Sequence, residues 1–354
     1  ARGYGGCTSE LRSEVIGAWD FHANITTNIA STYIVDTTSN HLNGFIINLP
    51  CRGMTGYNWT ADEIVYHHKP DEYGAIHFHD DDIDDARWEV DFTFEVPDII
   101  KSGIYAARLR INGEDSPETE DFIPIVIKPP KGKTTSKVLL VLPTNSYMAY
   151  SNDNLATNSV VAELLAGKVP VMSAADLYLN EHREYGLSTY SMHSDGSGVC
   201  YSSRLRPILN MRPKYRHWLS PSLWQLNADL HLTDWLEEKN IDFDVMTDED
   251  LHLEGVDLLN RYQVVLTGSH PEYSSEKMLA AYESYQLNGG RWIYLGADGF
   301  YWISEYHPDN LNIIEVRKGE AGTRAWTANP GEYNNAFDGK YGGMWRARGR
   351  IPSK

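Results

Sequence analysis

Residues 137–144, KVLLVLPT, are apolar nearly without interruption, and a run with no polar alternation is what a strand buried on both faces requires. FDVMT (243–247), QVVLTG (263–268) and RWIYLGAD (291–298) repeat that character. Between them, residues 223–239 place Leu226, Leu230 and Trp235 at helical intervals, and 275–287 run into Asn288-Gly289-Gly290, a common helix stop. Strands alternating with helices predict a mainly parallel sheet with crossover helices. Ligands of such sheets gather outside the carboxyl ends of the strands. The residues just after these runs are therefore the first place to look for a site.

Upstream the pattern is different. From Ser13 to Pro130 short runs, among them VIGAWDF, GFIINLP, AIHFH, WEVDFTFEV, GIYAARLRI and FIPIVIK, are separated by turn residues, which predicts β-sandwich modules. In WEVDFTFEV, Trp88, Val90, Phe92, Phe94 and Val96 alternate with polar residues, the period of a strand with one buried face. The polar, turn-rich stretch from Asn58 to Pro70 suggests a boundary near 66, and KPPKGKTTS (128–136) is a linker. A chain of 354 residues is long enough for two or three domains, and we divide it as 1–66, 67–130 and 131–354.

Composition narrows the function classes. With 31 basic against 49 acidic side chains the net charge is -18, which disfavours a phosphate backbone as partner. A hydrophobic content of 42% excludes a disordered chain, and no window reaches the ~20 apolar residues of a membrane helix. Cys7, Cys51 and Cys200 are far apart along the chain with no Cys-x-x-Cys spacing, which disfavours a disulfide framework or a structural zinc site and suggests a reducing compartment. The opening ARGYGGCTSE shows no signal peptide, and YGGMWRARGRIPSK closes no domain, so a piece of a longer chain is expected.

Three strand ends carry chemistry. QVVLTG leads into Ser269-His270-Pro271-Glu272, where imidazole and carboxylate can serve as metal ligand, general base or both; equally, Glu272 suits the positive end of the following helix and His270 a loop carbonyl. KVLLVLPT leads into a segment with Tyr147 and Tyr150, phenols that pack in cores but also donate a hard oxygen to ferric iron. Thr189 to Gly198 combine Tyr190, His193 and Asp195 with glycines, as site loops and plain surface loops both do. The turn after RWIYLG holds Asp298 where a nucleophile elbow would hold Ser or Cys. Cys200 fits a packing residue better than a nucleophile. No Gly-x-Gly-x-x-Gly or P-loop supports nucleotide binding. His77-Phe78-His79-Asp80-Asp81-Asp82 reads either as a divalent-cation site or as a solvated acidic turn.

The segments GAWDF, NLPCRGMTGYNW, YGAIHFHDDD, HSDGSGVCYSSRLRP, LTGSHPEYSS and NGGRWIYLGADGFYW, in order along nearly the whole chain, resemble the N,N-dimethylformamidase large (beta) subunit family. The resemblance implies a cytoplasmic bacterial amidohydrolase that cleaves a small N-substituted formamide to formate and an amine. It also implies one non-haem Fe(III) held by Tyr150, Tyr190 and Glu272, with His270 catalytic beside it. Asp298 falls where the family carries a catalytic-turn asparagine, and a carboxylate there bears on substrate identity. The family fold would make 1–66 the end of a lectin-like module, 67–130 an immunoglobulin-like sandwich and 131–354 the first part of a glutamine-amidotransferase-like α/β domain. A small helical subunit in a hetero-oligomer is the partner implied. Two rivals stay open: a non-catalytic binding protein, and a family member acting on another amide.

Overall fold

The computed structural model describes residues 14–111, 119–155, 167, 169–219 and 222–350. Cys7 and the opening ARGYGGCTSE lie outside the described residues. Before the linker the described residues form three antiparallel pairs: β1 (Tyr33–Ile34) with β2 (Gly44–Phe45), β3 (Cys51–Met54) with β4 (Ala75–His77), and β5 (Gly103–Arg110) with β6 (Glu120–Ile127). GIYAARLRI and FIPIVIK thus pair over a full eight-residue ladder. VIGAWDF contributes one isolated bridge, Trp19 to Asp36. WEVDFTFEV departs from expectation: it joins no ladder, and Trp88 and Val90 are 70% and 75% exposed, with Phe92, Phe94 and Val96 open beside them. Alternation supplies an apolar face, but nothing among the described residues covers it.

Beyond the linker the elements are β7 (Val138–Leu142), α1 (Thr144–Ala149), α2 (Ala174–Glu181), β8 (Tyr201–Ser203), α3 (Leu226–Glu238), β9 (Asp244–Thr247), α4 (Asp248–Glu254), α5 (Val256–Leu259), β10 (Val264–Thr267), β11 (Tyr273–Ser274), α6 (Glu276–Leu287), β12 (Arg291–Ile293), β13 (Trp302–Ile303), β14 (Glu305–His307) and β15 (Asn310–Glu315). Four of them make the expected parallel sheet, in the order β12-β10-β7-β9. Its centre is dry on both faces. Leu139, Val141 and Val265 pack under α4, α5 and α6 against Leu251, Leu258 and Met278, whereas Leu140, Leu142 and Val245 meet Tyr147 and Leu226 on the opposite face. Burying each such leucine is worth about 1.5–3 kcal/mol.

The run RWIYLGAD is only half a strand. Pairing stops at Ile293, and Ile293, Tyr294 and Leu295 are more than 40% exposed, because among the described residues β12 is the sheet edge and only β10 flanks it. Helix α6 begins on a Ser275 capping box, whose side chain accepts from the Met278 amide. It ends at Gly289, whose φ of 85° lies in the left-handed region that glycine reaches without strain. A smaller antiparallel sheet, β14-β15-β8, stands beside the parallel one. Among the described residues no helix is long and apolar enough to cross a membrane.

Candidate functional site

The ends of β7 and β10 meet, as adjacent parallel strands must. The chain leaves β7 into α1, which stops at Tyr150, and leaves β10 into the loop of Gly268 to Glu272. Ser146 of α1, fully buried, ties the two together by accepting the Glu272 amide hydrogen at 3.1 Å. The third piece is anchored to the same helix, since Thr189 donates from both its amide and its hydroxyl to the Ala149 carbonyl. The Trp326 indole donates to the Thr189 carbonyl at 2.8 Å. Tyr190 follows directly, so its ring is carried to Tyr150.

Five side chains then converge. Tyr273 Oη donates to Tyr190 Oη at 2.8 Å, Tyr190 Oη to Tyr150 Oη at 2.6 Å, and Tyr150 Oη to Glu272 Oε2 at 2.7 Å. Tyr190 also lies 3.1 Å from Glu272 Oε1, and His270 Nε2 stands 3.0 Å from Glu272 Oε2. The Tyr150 and Tyr190 rings stack at 4.3 Å. Burial, reinforced by the negative Glu272, holds the pKa values of all three phenols well above their ordinary value, so without a cation each keeps its proton and donates it as a hydrogen bond along the chain. Two phenols and a carboxylate are hard oxygen donors that suit a trivalent cation, and their convergence at strand ends fits one.

Tyr147 is turned elsewhere: its hydroxyl donates to Asp229, which also accepts the Ser269 amide at 2.5 Å. Asp298 sits on the exposed turn after β12 with φ of 49°. That turn reaches the site loop through the Ala297 amide, which donates to the Ser269 carbonyl at 3.0 Å, and no hydrogen bond joins the Asp298 side chain to the cluster. His77 belongs to the β3–β4 ladder, whereas His79 lies past its end and turns to Asp82 and His193. Cys51 and Cys200, remote in sequence, pack as free thiols in one buried cluster.

Three neighbours carry no signal in the sequence. Lys318, fully buried, holds its ammonium 3.5 Å over the Tyr190 ring with no hydrogen-bond partner among the described residues. Burial pushes its pKa down to about 7, while Glu272 and Asp153 pull the other way. Tyr273 starts the hydroxyl chain. Trp224 packs at a tilt against His270, ring centres 4.9 Å apart, and stands edge-on to Tyr150, its buried indole nitrogen also unpartnered among the described residues. The one cue was position, since Tyr273 adjoins Glu272.

Fold and site together define an α/β protein with a mainly parallel sheet that carries a buried phenol, carboxylate and imidazole cluster at its strand ends. The chain belongs to the N,N-dimethylformamidase beta subunit-like family, whose C-terminal sequence model matches residues 51–354. It is 46% identical over 338 residues to the N,N-dimethylformamidase beta subunit of Paracoccus aminophilus, covering 95% of this chain and 43% of that one. The corresponding subunit of an Alcaligenes species is 45% identical over 338 residues, with the same coverage. The chain therefore spans less than half the length of the curated relatives it matches.

Proposed function

We propose that the protein hydrolyses a small N-substituted formamide, such as N,N-dimethylformamide, to formate and an amine at one ferric ion held by Tyr150, Tyr190 and Glu272. The observation that carries this reading is the meeting of two phenol oxygens and a carboxylate within 3.1 Å at the ends of two parallel strands. The names of the relatives supply the substrate class. When bound, the ion supplies Lewis-acid polarisation of the amide carbonyl. His270 is the proton carrier and protonates the departing amine nitrogen, which leaves only in that form. Lys318 offsets the negative charge of a Tyr190 phenolate through its place over the ring. Trp224 walls the His270 side with an apolar surface that suits N-methyl groups. Asp298, on the turn tied to Ser269, sets substrate preference from the rim. A neutral amide is not steered by a charge of -18.

The same reading takes 1–66 as the end of a lectin-like module, 67–130 as an immunoglobulin-like sandwich and 131–354 as the first part of an amidotransferase-like catalytic domain. It also supplies a small helical partner subunit and a bacterial cytoplasmic setting; the word subunit in the relatives' names supports the partner. The test is to load the protein with Fe(III), alone and with the small subunit, and assay formate release from N,N-dimethylformamide. Glu272→Gln should lose both iron and turnover. Undiminished formate release from rigorously iron-free protein would overturn the proposal.

A further inference from the structure

We propose a second cation site, selective for a divalent transition metal such as Zn²⁺, formed by His79, Asp82 and His193 where the segment after β4 meets the loop that carries Tyr190. One ligand atom from each of the three lies within 4.8 Å of the others. His79 Nδ1 is 3.2 Å from Asp82 Oδ2 and His193 Nε2 is 3.8 Å from Asp82 Oδ1, with the three side chains only 4%, 10% and 3% exposed for His79, Asp82 and His193. The acidic run alone would be an ordinary turn. Two buried imidazoles aimed at one of its carboxylates are not.

The outer contacts point the same way. His193 Nδ1 meets Asp81 Oδ1 at 2.5 Å, and Asp81 is held in turn by the Arg183 guanidinium at 2.6 Å. His79 Nε2 lies 3.0 Å from Ser197 Oγ and 3.5 Å from Asp195 Oδ2. Each imidazole thus spends one nitrogen on an orienting oxygen and presents the other to Asp82, the arrangement by which metal-binding histidines are fixed in tautomer and direction. Charge leaves room for the ion: three carboxylates, Asp81, Asp82 and Asp195, face one guanidinium. Two protonated rings would restore balance, but these rings stack face to face at 3.6 Å with 2° between their planes, which sets like charges against each other. A dication balances the site with both rings neutral.

Two imidazoles and one carboxylate suit Zn²⁺ and its neighbours rather than Mg²⁺ or Ca²⁺, and they are softer than the phenol cluster around Glu272. Because a bound metal lies near the plane of each ring, ligation turns His79 and His193 out of their parallel stack. The bound ion would pin the Tyr190 loop to the N-terminal strands, since His193 is three residues past Tyr190.

The experiment is a titration of the chelator-stripped full chain with Co²⁺, followed by its visible d–d absorption, with Zn²⁺ as competitor. One equivalent with the intense bands of a low-coordinate ion is expected, displaced by Zn²⁺. His79→Gln and Asp82→Asn should weaken binding more than about 100-fold, and Asp81→Asn, an orienting residue, by about 10- to 100-fold. Glu272→Gln should leave the titration unchanged, which separates this site from the proposed ferric one. Far-ultraviolet circular dichroism checks the fold of each variant, and a Zn²⁺-dependent rise in melting temperature of the unsubstituted chain gives a readout that needs no variant. The proposal is overturned by no band at millimolar Co²⁺, by no Zn²⁺-dependent rise, by binding that survives His79→Gln, or by binding that disappears with Glu272→Gln.

Discussion

Tyr190→Phe isolates the contribution of a single oxygen. The ring that stays behind keeps its stack on Tyr150 at 4.3 Å and its place under the Lys318 ammonium at 3.5 Å, so no large cavity opens. What disappears is the acceptor for Tyr273, the donor to Tyr150 and the 3.1 Å contact with Glu272. Tyr273 is fully buried, and a buried hydroxyl left without its partner costs about 1–3 kcal/mol, towards the low end if it turns to its other neighbour, Thr189. At ~2–4 °C per kcal/mol, the iron-free variant should melt roughly 2–12 °C lower, measured by thermal scanning of chelated protein. Tyr178→Phe is the control, since that hydroxyl makes a solvent-exposed contact with Tyr185 and should change little. On the iron-loaded protein, Tyr190→Phe should also cut metal content and weaken or shift the visible phenolate-to-iron absorption. An unchanged melting temperature would refute the hydroxyl chain, and an iron-replete, active but colourless wild-type protein would refute the ligand set.

Glu272→Ala and His270→Ala should fail differently: the first should lose iron, whereas the second should retain it and lose about 100- to 10,000-fold in turnover; equal metal loss by elemental analysis would make His270 a ligand. Gly198→Ala should cost about 1–3 kcal/mol in urea unfolding and lower iron content, because its methyl would fall 1.9 Å from the Trp326 ring that holds Thr189; wild-type stability would contradict the packing. His252 accounts for one pH dependence: burial lowers its pKa from 6.5 to about 4, so the unfolded chain binds the extra proton in that window and stability falls as pH drops from 6.5 towards 4. The loss is up to about 3 kcal/mol, and His252→Gln should flatten that part of a stability profile measured by urea midpoints.

Much of the parallel-sheet region could be read in advance, because a strand buried on both faces leaves an unmistakable apolar run. KVLLVLPT and QVVLTG became neighbouring parallel strands, and the strand-end rule then pointed to His270, Glu272 and the pair Tyr147 and Tyr150, between which only the family resemblance chose. Where burial depends on a partner from elsewhere, pattern was not enough. WEVDFTFEV has a strand's alternation and, among the described residues, no strand to pair with, and RWIYLGAD has the composition of a core strand at a sheet edge. Lys318 was invisible for a related reason: a lysine beyond a β-strand normally reaches solvent, and only the tertiary fold lays it over Tyr190. The histidine pair shows the same limit. HFHDDD advertised His79 and Asp82, but the second ring, His193, arrives from more than a hundred residues away.

The sheet order also sets a timetable for biosynthesis. Strand β7 lies between β9 and β10, both of which come later in the chain, so it is made long before its pairing strands, and Leu139 and Val141 long before the helices α4, α5 and α6 that cover them. About 100 residues must follow Leu142 before β9 starts and about 120 before β10 does, which at ~5–20 residues per second is an interval of roughly 5–25 s. Throughout it the nascent chain offers an apolar strand with two free edges and one uncovered face, the kind of segment that chaperones bind and that pairs wrongly with its own copies. A ribosome paused between residues 150 and 240 would hold the chain in that state, and growth temperature or codon choice in this stretch should govern soluble yield more strongly than substitutions on the finished surface.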